Sequence, residues 1–309
     1  MSLFLGIDTS NYTTSLSVVQ AGRVLCNLKL PLPVREGALG LRQSDAVFAH
    51  VCGLPEVFCA LREHFGARDV VREIAAIGYS KTPRDQEGSY MPCFLAGTAV
   101  ARALGAVLNV PTYPFSHQAG HIAAAAYSAD RTDLLDRAFL AFHVSGGTTD
   151  LLHVDEMKIT ELGCSTDLHA GQAVDRVGRM LGLPFPCGAA LERLSESEPL
   201  PSCRVSVRGM QCSLSGLENQ TKKLHEQGQS AAYVAAYTLS YLAKTLDKMS
   251  AAAREQYPDL PILYAGGVMS NKRIQDVLAR RAQTHFATPA FSADNAAGIA
   301  LLCERKHLS

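Results

Sequence analysis

The fold is decided by the stretch GIDTSNYTTSLSVV, residues 6–19, in which an apolar run leads into small polar residues and then into alternating apolar residues. This order predicts two antiparallel strands, LFLGI and SLSVV, joined by a polar turn, DTSNYTT. A similar stretch, HVSGGTTDLLHV, occupies residues 143–154. Segments with strand and helix spacing follow each of the two stretches. The sequence therefore predicts an α/β protein that contains the same arrangement twice.

The rest of the sequence predicts further strands and helices, which we assign to two lobes. Strands are predicted at VLCNLKL, IAAIGYS, VPTYPF, AFLAFHV and LPILY, and helices at 45–64, FLAGTAVARALGAVL, 170–181, 229–254 and NKRIQDVLA. A chain of 309 residues is long for one core, which favours two domains. We expect an N-terminal lobe of residues 1–115 plus 293–309 and a C-terminal lobe of residues 116–292.

Composition narrows the class of protein. Lysine plus arginine equals aspartate plus glutamate, 29 each, so the net charge is zero and argues against binding of nucleic acid by bulk electrostatics. Nine cysteines without a C-x-x-C pair indicate reduced thiols in a cytoplasmic protein. No apolar run reaches the roughly 18 residues of a membrane span, so no membrane association is expected.

Three glycine turns follow predicted strands. The hairpins at 6–19 and 143–154 run from strand to strand, unlike the strand-to-helix loops of common nucleotide motifs. Facing each other, they would present backbone N–H groups and hydroxyls to a polyphosphate. In YAGGVMSN, residues 264–271, Gly266 and Gly267 would let the backbone approach a flat nucleoside, and Ser270 or Asn271 would cap the next helix.

A histidine pair opens a predicted alanine-rich helix. His117 and His121 are one turn apart and project from one face. The H-E-x-x-H zinc peptidases share this spacing, but Gln118 stands where their general base would be, so that chemistry is lost. Two ordinary histidines remain an alternative. A third ligand favours a metal site, and Asp294 in FSADNAAG supplies a carboxylate. This ligand set suits iron, zinc and manganese alike.

The turns, in this order, resemble the layout of the actin, sugar-kinase and heat-shock-chaperone superfamily. That resemblance implies an actin-like ATPase fold of two similar lobes, with a nucleotide in the cleft between them. Seven motifs, taken in order over nearly the whole chain, resemble the TsaD-type tRNA threonylcarbamoyladenosine transferases. They are GIDTS, HQAGH, SGGTT, GQAVDR with FPCGAAL, CSLSGLE, AGGVMSN and SADNAAGIA.

The family resemblance implies a reaction and a site. A threonylcarbamoyl group would move from threonylcarbamoyl-AMP to the exocyclic amine of the adenosine beside the anticodon of tRNA, with partner subunits assisting. Iron or zinc would be held by His117, His121 and Asp294, and no other catalytic residue is expected. The following residues would bind the adenylate: Val144, Ser145, Gly146 and Gly147 at its phosphate and acyl part, Asp175 and Gly188 at its ribose, and Asn271 at its nucleoside.

Several positions depart from the family pattern. Tyr12 and Thr13 stand where the family has an acidic pair, Thr148 replaces the histidine of SGGHT, and Glu218 replaces a lysine. Gln172 replaces a glutamate, and the charged segment SKTPRDQEGSYMPC, residues 80–93, replaces a glycine-rich turn. Two alternatives follow: a carbamoyl- or acyl-adenylate transferase with another acceptor, similar to the carbamoyltransferase domain of hydrogenase-maturation proteins, or a non-catalytic nucleotide-binding partner of the transferase.

Overall fold

The computed structural model describes residues 2–10, 12–33, 41–291 and 296–309. The chain forms two compact units, Met1–Ser128 with Phe291–Ser309, and Ala129–Ala290. The sequence placed these boundaries at 115/116 and 292/293. The helix His117–Ser128 accounts for most of the difference, because it packs against the C-terminal helix Ala297–Leu308 and so belongs to the first unit.

The two units are built from alternating strands and helices. The strands are β1 (Leu3–Ser10), β2 (Thr13–Gln20), β3 (Arg23–Pro31), β4 (Ile74–Thr82), β5 (Thr112–Ser116), β6 (Phe139–Val144), β7 (Thr149–Asp155), β8 (Lys158–Cys164), β9 (Ser206–Arg208), β10 (Gln211–Ser213), β11 (Ile262–Ala265) and β12 (Thr284–Phe286). The helices are α1 (Gln43–Phe65), α2 (Val70–Glu73), α3 (Phe94–Leu108), α4 (His117–Ser128), α5 (Ala170–Met180), α6 (Gly188–Ser195), α7 (Ser215–Glu226), α8 (Ala231–Gln256), α9 (Lys272–Leu278) and α10 (Ala297–Leu308).

The first unit is a five-stranded mixed sheet in the order β3-β2-β1-β4-β5. β1, β2 and β3 are antiparallel, whereas β4 and β5 run parallel to β1. The polar residues between the apolar runs were predicted to form a turn, and this prediction was wrong for most of them. They continue the ladder, with Asp8 opposite Ser15 and Ser10 opposite Thr13. Short hydroxyl side chains fit a paired, buried strand, so the strands extend to the loop.

Helices cover both faces of this sheet. Leu5 and Ile7 of β1 pack with Leu54 and Val57 of α1 on one face. On the other face α10 lies directly on β1, where a side chain at Gly6 would put its Cβ 2.5 Å from the carbonyl oxygen of Ala296. Only glycine permits that approach, which holds the start of α10 against the strand that carries the polar residues.

The second unit repeats the plan. Its sheet has the order β12-β11-β6-β7-β8, with β6, β7 and β8 antiparallel and β11 and β12 parallel to β6. The core lies beneath α8, with Phe142, Tyr241 and Tyr264 fully buried. An α/β architecture of two similar lobes was predicted and is confirmed. The short hairpin β9–β10 and the helices α6 and α7 were not predicted.

One described helix is long and apolar enough to cross a membrane by length and composition alone. It is α1, and a core helix of a soluble protein meets the same test. Its buried residues, which include Gly53, Leu54 and Val57, face the sheet of the first unit.

Candidate active site

The histidine pair occupies the first turn of α4. The Nε2 atoms of His117 and His121 are 2.9 Å apart, and the two rings meet edge to face with centroids 4.3 Å apart. The spacing of four residues on a helix brings the two rings together, as the sequence predicted.

A buried carboxylate supports the pair. Asp8, which is completely buried, places Oδ2 3.1 Å from Nδ1 of His117. Its carboxylate also accepts hydrogen bonds from the hydroxyls of Ser10, at 2.7 Å, and Ser80. With Nδ1 donating to Asp8, Nε2 of His117 carries the lone pair and faces Nε2 of His121. Sequence reasoning missed Asp8 because it treated DTSN as a turn. A carboxylate next to an apolar run was the available signal.

This arrangement suits a metal ion. Histidine ligands of metals commonly donate their second N–H to a carboxylate, which fixes the tautomer and the ring orientation. The two Nε2 atoms, 2.9 Å apart, are close enough for both to bind one ion. The predicted third ligand, Asp294, lies outside the described residues. Within those residues no group of three or more His, Cys, Asp or Glu side chains is arranged to hold a metal.

The second unit carries the glycine turn between β6 and β7. Ser145 closes it, with its N–H donating to the Thr148 carbonyl at 2.9 Å and its hydroxyl accepting from the N–H groups of Gly147 and Thr148, both at 3.2 Å. No other described residue accepts a hydrogen bond from the N–H of Gly146. An ideal Cβ on Gly146 or Gly147 would meet nothing within 4 Å. The turn therefore presents open backbone.

Two other glycines let neighbouring segments approach this turn. A Cβ on Gly171, at the start of α5, would lie 2.7 Å from the Cα and N atoms of Gly146. A Cβ on Gly266, whose φ is +98°, would lie 2.3 Å from the carbonyl oxygen of Val144. Val144 itself is fully buried, so its contribution is to hold the turn.

These segments surround a cavity of about 370 Å³ within the second unit. Four of the residues predicted to bind the adenylate line it, namely Gly146, Asp175, Gly188 and Asn271. The others in its wall are Gly171, Val174, Pro186, Ala189, Glu192, Leu239, Gly267, Val268, Ser270 and Ile274. Mostly apolar walls with a few converging polar groups are typical of a small-molecule site. Ser145 and Gly147 belong to the adjoining turn.

The polar residues of the wall also fix its backbone. Asp175 accepts a hydrogen bond from the N–H of Cys187 at 2.9 Å, which holds the segment before α6. Asn271 caps α9, with its side-chain oxygen accepting from the N–H of Ile274 at 3.0 Å. Burial, together with the Asp175 carboxylate, raises the pKa of the Cys187 thiol, which makes it a poor nucleophile beside the cavity.

The family follows from the sequence comparison. The family described as TsaD, tRNA N6-adenosine threonylcarbamoyltransferase, matches residues 62–301, more than three quarters of the chain. The chain belongs to the TsaD family. It is accordingly a transferase enzyme. Similar curated proteins with this name include one from Thermus thermophilus, 32% identical over 98% of this chain and 92% of its own length. Another, from Methanopyrus kandleri, is 28% identical over 96% and 85%.

Solved structures agree on the fold of this TsaD family member. Full-length HypF in its phosphate- and nucleotide-bound form aligns with a TM-score of 0.64 at 12% identity, covering all of this chain. This chain spans 47% of the HypF chain, about half its length. A ROK family glucokinase from Streptomyces griseus, in complex with glucose and AMPPNP, aligns with a TM-score of 0.55 at 14% identity over 98% of this chain and all of the glucokinase. The actin-like, sugar-kinase type of fold is thereby confirmed.

Three of the positions that depart from the TsaD motifs, Thr148, Glu218 and Gln172, have partners of their own. The hydroxyl of Thr148 lies 2.8 Å from that of Ser145, within the turn. Glu218 pairs with Arg176 at 2.8 Å on the surface, and Gln172 accepts a weak hydrogen bond from the N–H of His169 at 3.4 Å. At these three positions the residue that stands in place of the family's side chain makes a contact with a neighbouring residue.

Asp167 is a second carboxylate that sequence reasoning missed. It accepts hydrogen bonds from the N–H groups of Leu168, Leu214 and Ser215 at 2.6, 2.8 and 3.2 Å, and from the hydroxyl of Ser213 at 2.6 Å. It therefore joins the loop before α5 to the start of α7. Burial raises the pKa of this carboxyl, but the hydrogen bonds outweigh burial and leave the pKa well below its usual value.

Proposed function

We propose that this enzyme transfers a threonylcarbamoyl group from threonylcarbamoyl-AMP to the exocyclic amine of the adenosine next to the anticodon of tRNA. The related proteins bear the name of this activity. We place the reaction in the cytoplasm. Partner proteins of the tRNA-modification complex would help to present the tRNA, because a chain with no net charge attracts a polyanion weakly.

The cavity of the second unit would hold the adenylate. Gly267 and Gly188 leave open space where a Cβ would stand, so a flat nucleoside and its ribose have access to the backbone. The NH₂ group of Asn271 would donate to the base, and the Asp175 carboxylate would accept from the ribose hydroxyls. The N–H of Gly146 would donate to the phosphate or acyl oxygens, as backbone concavities do for anions.

A divalent iron or zinc ion would be held by His117, His121 and Asp294. The observation that carries the proposal is the buried Asp8 carboxylate, 3.1 Å from His117, which prepares that imidazole to bind a cation together with His121. When bound, the ion supplies Lewis acidity for a carbonyl or phosphoryl oxygen. Asp8 would hold the orientation and the tautomer of His117, with Ser10 and Ser80 holding Asp8.

The reaction balances without a nucleophile from the protein. The exocyclic nitrogen of the adenosine bonds to the carbamoyl carbon, the bond from that carbon to the phosphate oxygen breaks, and AMP leaves. The amine gives up one proton, which passes to water. Binding both reactants in one orientation would supply much of the rate enhancement.

A second candidate is transfer of the acyl group to another acceptor. The segment 80–93, which differs from the family pattern, favours transfer to another acceptor, because it is hydrogen-bonded to residues next to the histidine pair. The carbonyl of Pro83 accepts from the N–H of Gln118 at 3.1 Å, and the carbonyl of Cys93 accepts from the hydroxyl of Thr9 at 3.0 Å. Its charged residues, Arg84, Asp85 and Glu87, would then contact an acceptor other than the tRNA adenosine.

The deciding experiment is incubation of the metal-loaded full chain with threonylcarbamoyl-AMP, labelled in its threonine part, and unmodified tRNA. Proposed partner proteins are added in a parallel reaction. We expect label in the tRNA, and none when the tRNA carries guanosine at the acceptor position. His117→Ala should abolish labelling, whereas His225→Ala, an exposed histidine on α7, should not.

Other outcomes separate the alternatives. Donor binding with His117-dependent labelling of a different amine, but not of tRNA, would support the second candidate. A chain that binds adenylate, labels nothing, and still activates the genuine transferase when His117 is replaced would be a non-catalytic partner. No binding of adenylate at all would contradict both enzymatic proposals.

A further inference from the structure

A short hairpin of the second unit exposes hydrogen-bond donors in a row. β9 and β10 pair antiparallel, with Arg208 opposite Gln211. Arg204, Ser206 and Arg208 are exposed, whereas the two valines between them pack against the core. Alternate residues of an extended segment share one face. The hairpin therefore buries its apolar side and directs arginine, serine and glutamine side chains outward.

The backbone of this hairpin is held in place at its turn and at its second strand. Hairpins of two short strands are marginally stable by themselves. A Cβ on Gly163 of β8 would lie 2.0 Å from the carbonyl oxygen of Met210, so the turn rests directly on that strand. The N–H of Thr166 donates to the carbonyl oxygen of Cys212 at 2.9 Å. The outward side chains are thus carried on a fixed backbone, which lowers the cost of ordering them when a partner binds.

Two lysines of α8 add positive charge beside the same segment. Lys244 and Lys248 lie about one turn apart on the helix, and Nζ of Lys244 donates to the carbonyl oxygen of Cys203 at 2.6 Å. Burial raises the pKa of the Cys203 thiol, and the ammonium groups of both lysines oppose that rise, so both lie close to Cys203. Cys203 directly precedes Arg204. We call Arg204, Arg208, Lys244 and Lys248 the basic face.

The positive charge of the basic face is not neutralised within the part of the chain that the structure describes. None of its four cations forms an ion pair there, whereas Arg176 and Lys222 of the same unit each pair with a glutamate. Residues 199–217 contain no aspartate or glutamate. The carboxylate of Asp167 accepts from the hydroxyl of Ser213, at the end of β10, and from three backbone N–H groups. A chain without net charge therefore carries a local concentration of positive charge, which favours an anionic partner.

We propose that the basic face binds the phosphate backbone of an RNA, which under the proposed function is the tRNA substrate. Its guanidinium and ammonium groups are donors only, and phosphate oxygens are acceptors only. Arginine, lysine, serine and glutamine side chains make many of the phosphate contacts in nucleic-acid complexes. Residues two apart in an extended segment are separated by about 6.6 Å, so Arg204, Ser206 and Arg208 form a row about 13 Å long. A row suits a chain of phosphates better than a single anion.

The basic face is linked to the candidate site through Asp167. This residue joins Ser213 of the hairpin to the loop before α5, and α5 begins against the glycine turn, where Gly171 approaches Gly146. An RNA bound at the basic face would thus be held by the same unit that contains the adenylate cavity. Only the identification of the RNA as tRNA rests on the proposed function.

The test is binding of the full chain to fluorescently labelled tRNA, followed by anisotropy at several KCl concentrations. The variant Arg204→Gln/Arg208→Gln should raise the Kd about tenfold. The slope of log K against log salt should become shallower by about 1.5, because each phosphate contact contributes about 0.7 to 0.9. Arg204→Lys/Arg208→Lys keeps both charges and should retain most of the slope. Arg23→Gln, an exposed arginine of the first unit, is the matched control and should leave the Kd and the slope unchanged.

Two further measurements separate RNA binding from folding. The free energy of unfolding and the affinity for the adenylate should be the same in Arg204→Gln/Arg208→Gln and in the wild type. An unchanged Kd and salt slope in this variant would overturn the proposal. Binding of polyglutamate or of anionic phospholipid vesicles, but not of tRNA, would overturn it as well.

Failure of this inference is distinguishable from failure of the proposed reaction. A wild type that binds tRNA through these arginines but transfers no threonylcarbamoyl group would support the basic face and contradict the reaction. Transfer to tRNA by the wild type, with equal tRNA binding in Arg204→Gln/Arg208→Gln, would support the reaction and contradict the basic face.

Discussion

Asp8 and His117 are separated by 109 positions in the sequence, yet their side chains lie 3.1 Å apart, one of them completely buried. Asp8 is on β1 and His117 is the first residue of α4, so the contact joins the sheet to the helix that carries the histidine pair. Burial of a carboxylate is costly unless it is hydrogen-bonded. The Asp8 carboxylate is hydrogen-bonded by Ser10, Ser80 and His117. These contacts offset the cost of burying it, and the contact with His117 fixes the orientation of the imidazole.

Removal of the Asp8 charge should weaken metal binding. Asp8→Asn keeps the size of the side chain but makes His117 less basic, and loss of such a partner typically costs 10- to 100-fold in metal affinity. We expect a decrease of that order in the affinity for Zn²⁺, measured by calorimetric titration. Asp85→Asn, in the segment 80–93, is the charge-matched control and should bind as the wild type does. An unchanged affinity in Asp8→Asn would reduce Asp8 to a structural role.

Addition of a single methyl group where α4 and α10 meet should destabilise the fold. A Cβ on Gly298 would lie 1.8 Å from the carbonyl oxygen of Gly120. Glycine to alanine normally stabilises a helix by about 1 kcal/mol, so the steric clash reverses the expected sign. Gly298→Ala should lower the free energy of unfolding by about 3 kcal/mol, measured by urea titration. Lys306→Ala, on the partly exposed side of the same helix, should change it by less than about 0.5 kcal/mol.

Asp167 should make the stability of the second unit depend on acid. Its pKa is lowered in the folded chain. The stabilisation is therefore present above the unfolded pKa, near 3.9, and is lost as the pH falls through the folded value. Asp167→Asn should cost about 1 kcal/mol at pH 7, a modest value because the residue is exposed. The difference from the wild type should shrink steadily below pH 4. A difference that is constant with pH would show that the charge is not involved.

Regular segments of the fold could be predicted from the sequence because their pattern is local. The run FLAGTAVARALGAVL is rich in alanine and leucine and contains no proline, and α3 begins and ends with that run. The helix of 170–181 and the strands β4 and β6 were likewise evident from their spacing. Residues 8–10 were different: turn-forming residue types became a strand because a partner strand with hydroxyl side chains lay opposite. Tertiary pairing overrode local preference there.

The candidate site could be predicted where its residues stand in local motifs, even when the motifs are far apart in sequence. The pairing of His117 with His121 follows from helix geometry, and Gly146 and Gly188 were recognised by motif. Asp8 and Asp167 were missed because their partners come from distant segments. Asp167, for example, contacts residues 213–215, which a single sequence does not connect to it.

Asn271 has two functions that can be separated by two substitutions. Its oxygen caps α9 through the N–H of Ile274, and its NH₂ group is proposed to contact the nucleoside. Asn271→Asp keeps an oxygen that can cap the helix but loses the donor, so the free energy of unfolding should change by less than about 0.5 kcal/mol. Its affinity for the adenylate should fall at least about tenfold, because a ligand acceptor then faces a carboxylate. Asn271→Ala should lose affinity and also about 1 kcal/mol of stability. Nucleotide titration by calorimetry and urea unfolding of the same samples measure both quantities. Equal adenylate affinity in Asn271→Asp and the wild type would contradict the proposed contact, since the cap alone would then explain the presence of asparagine.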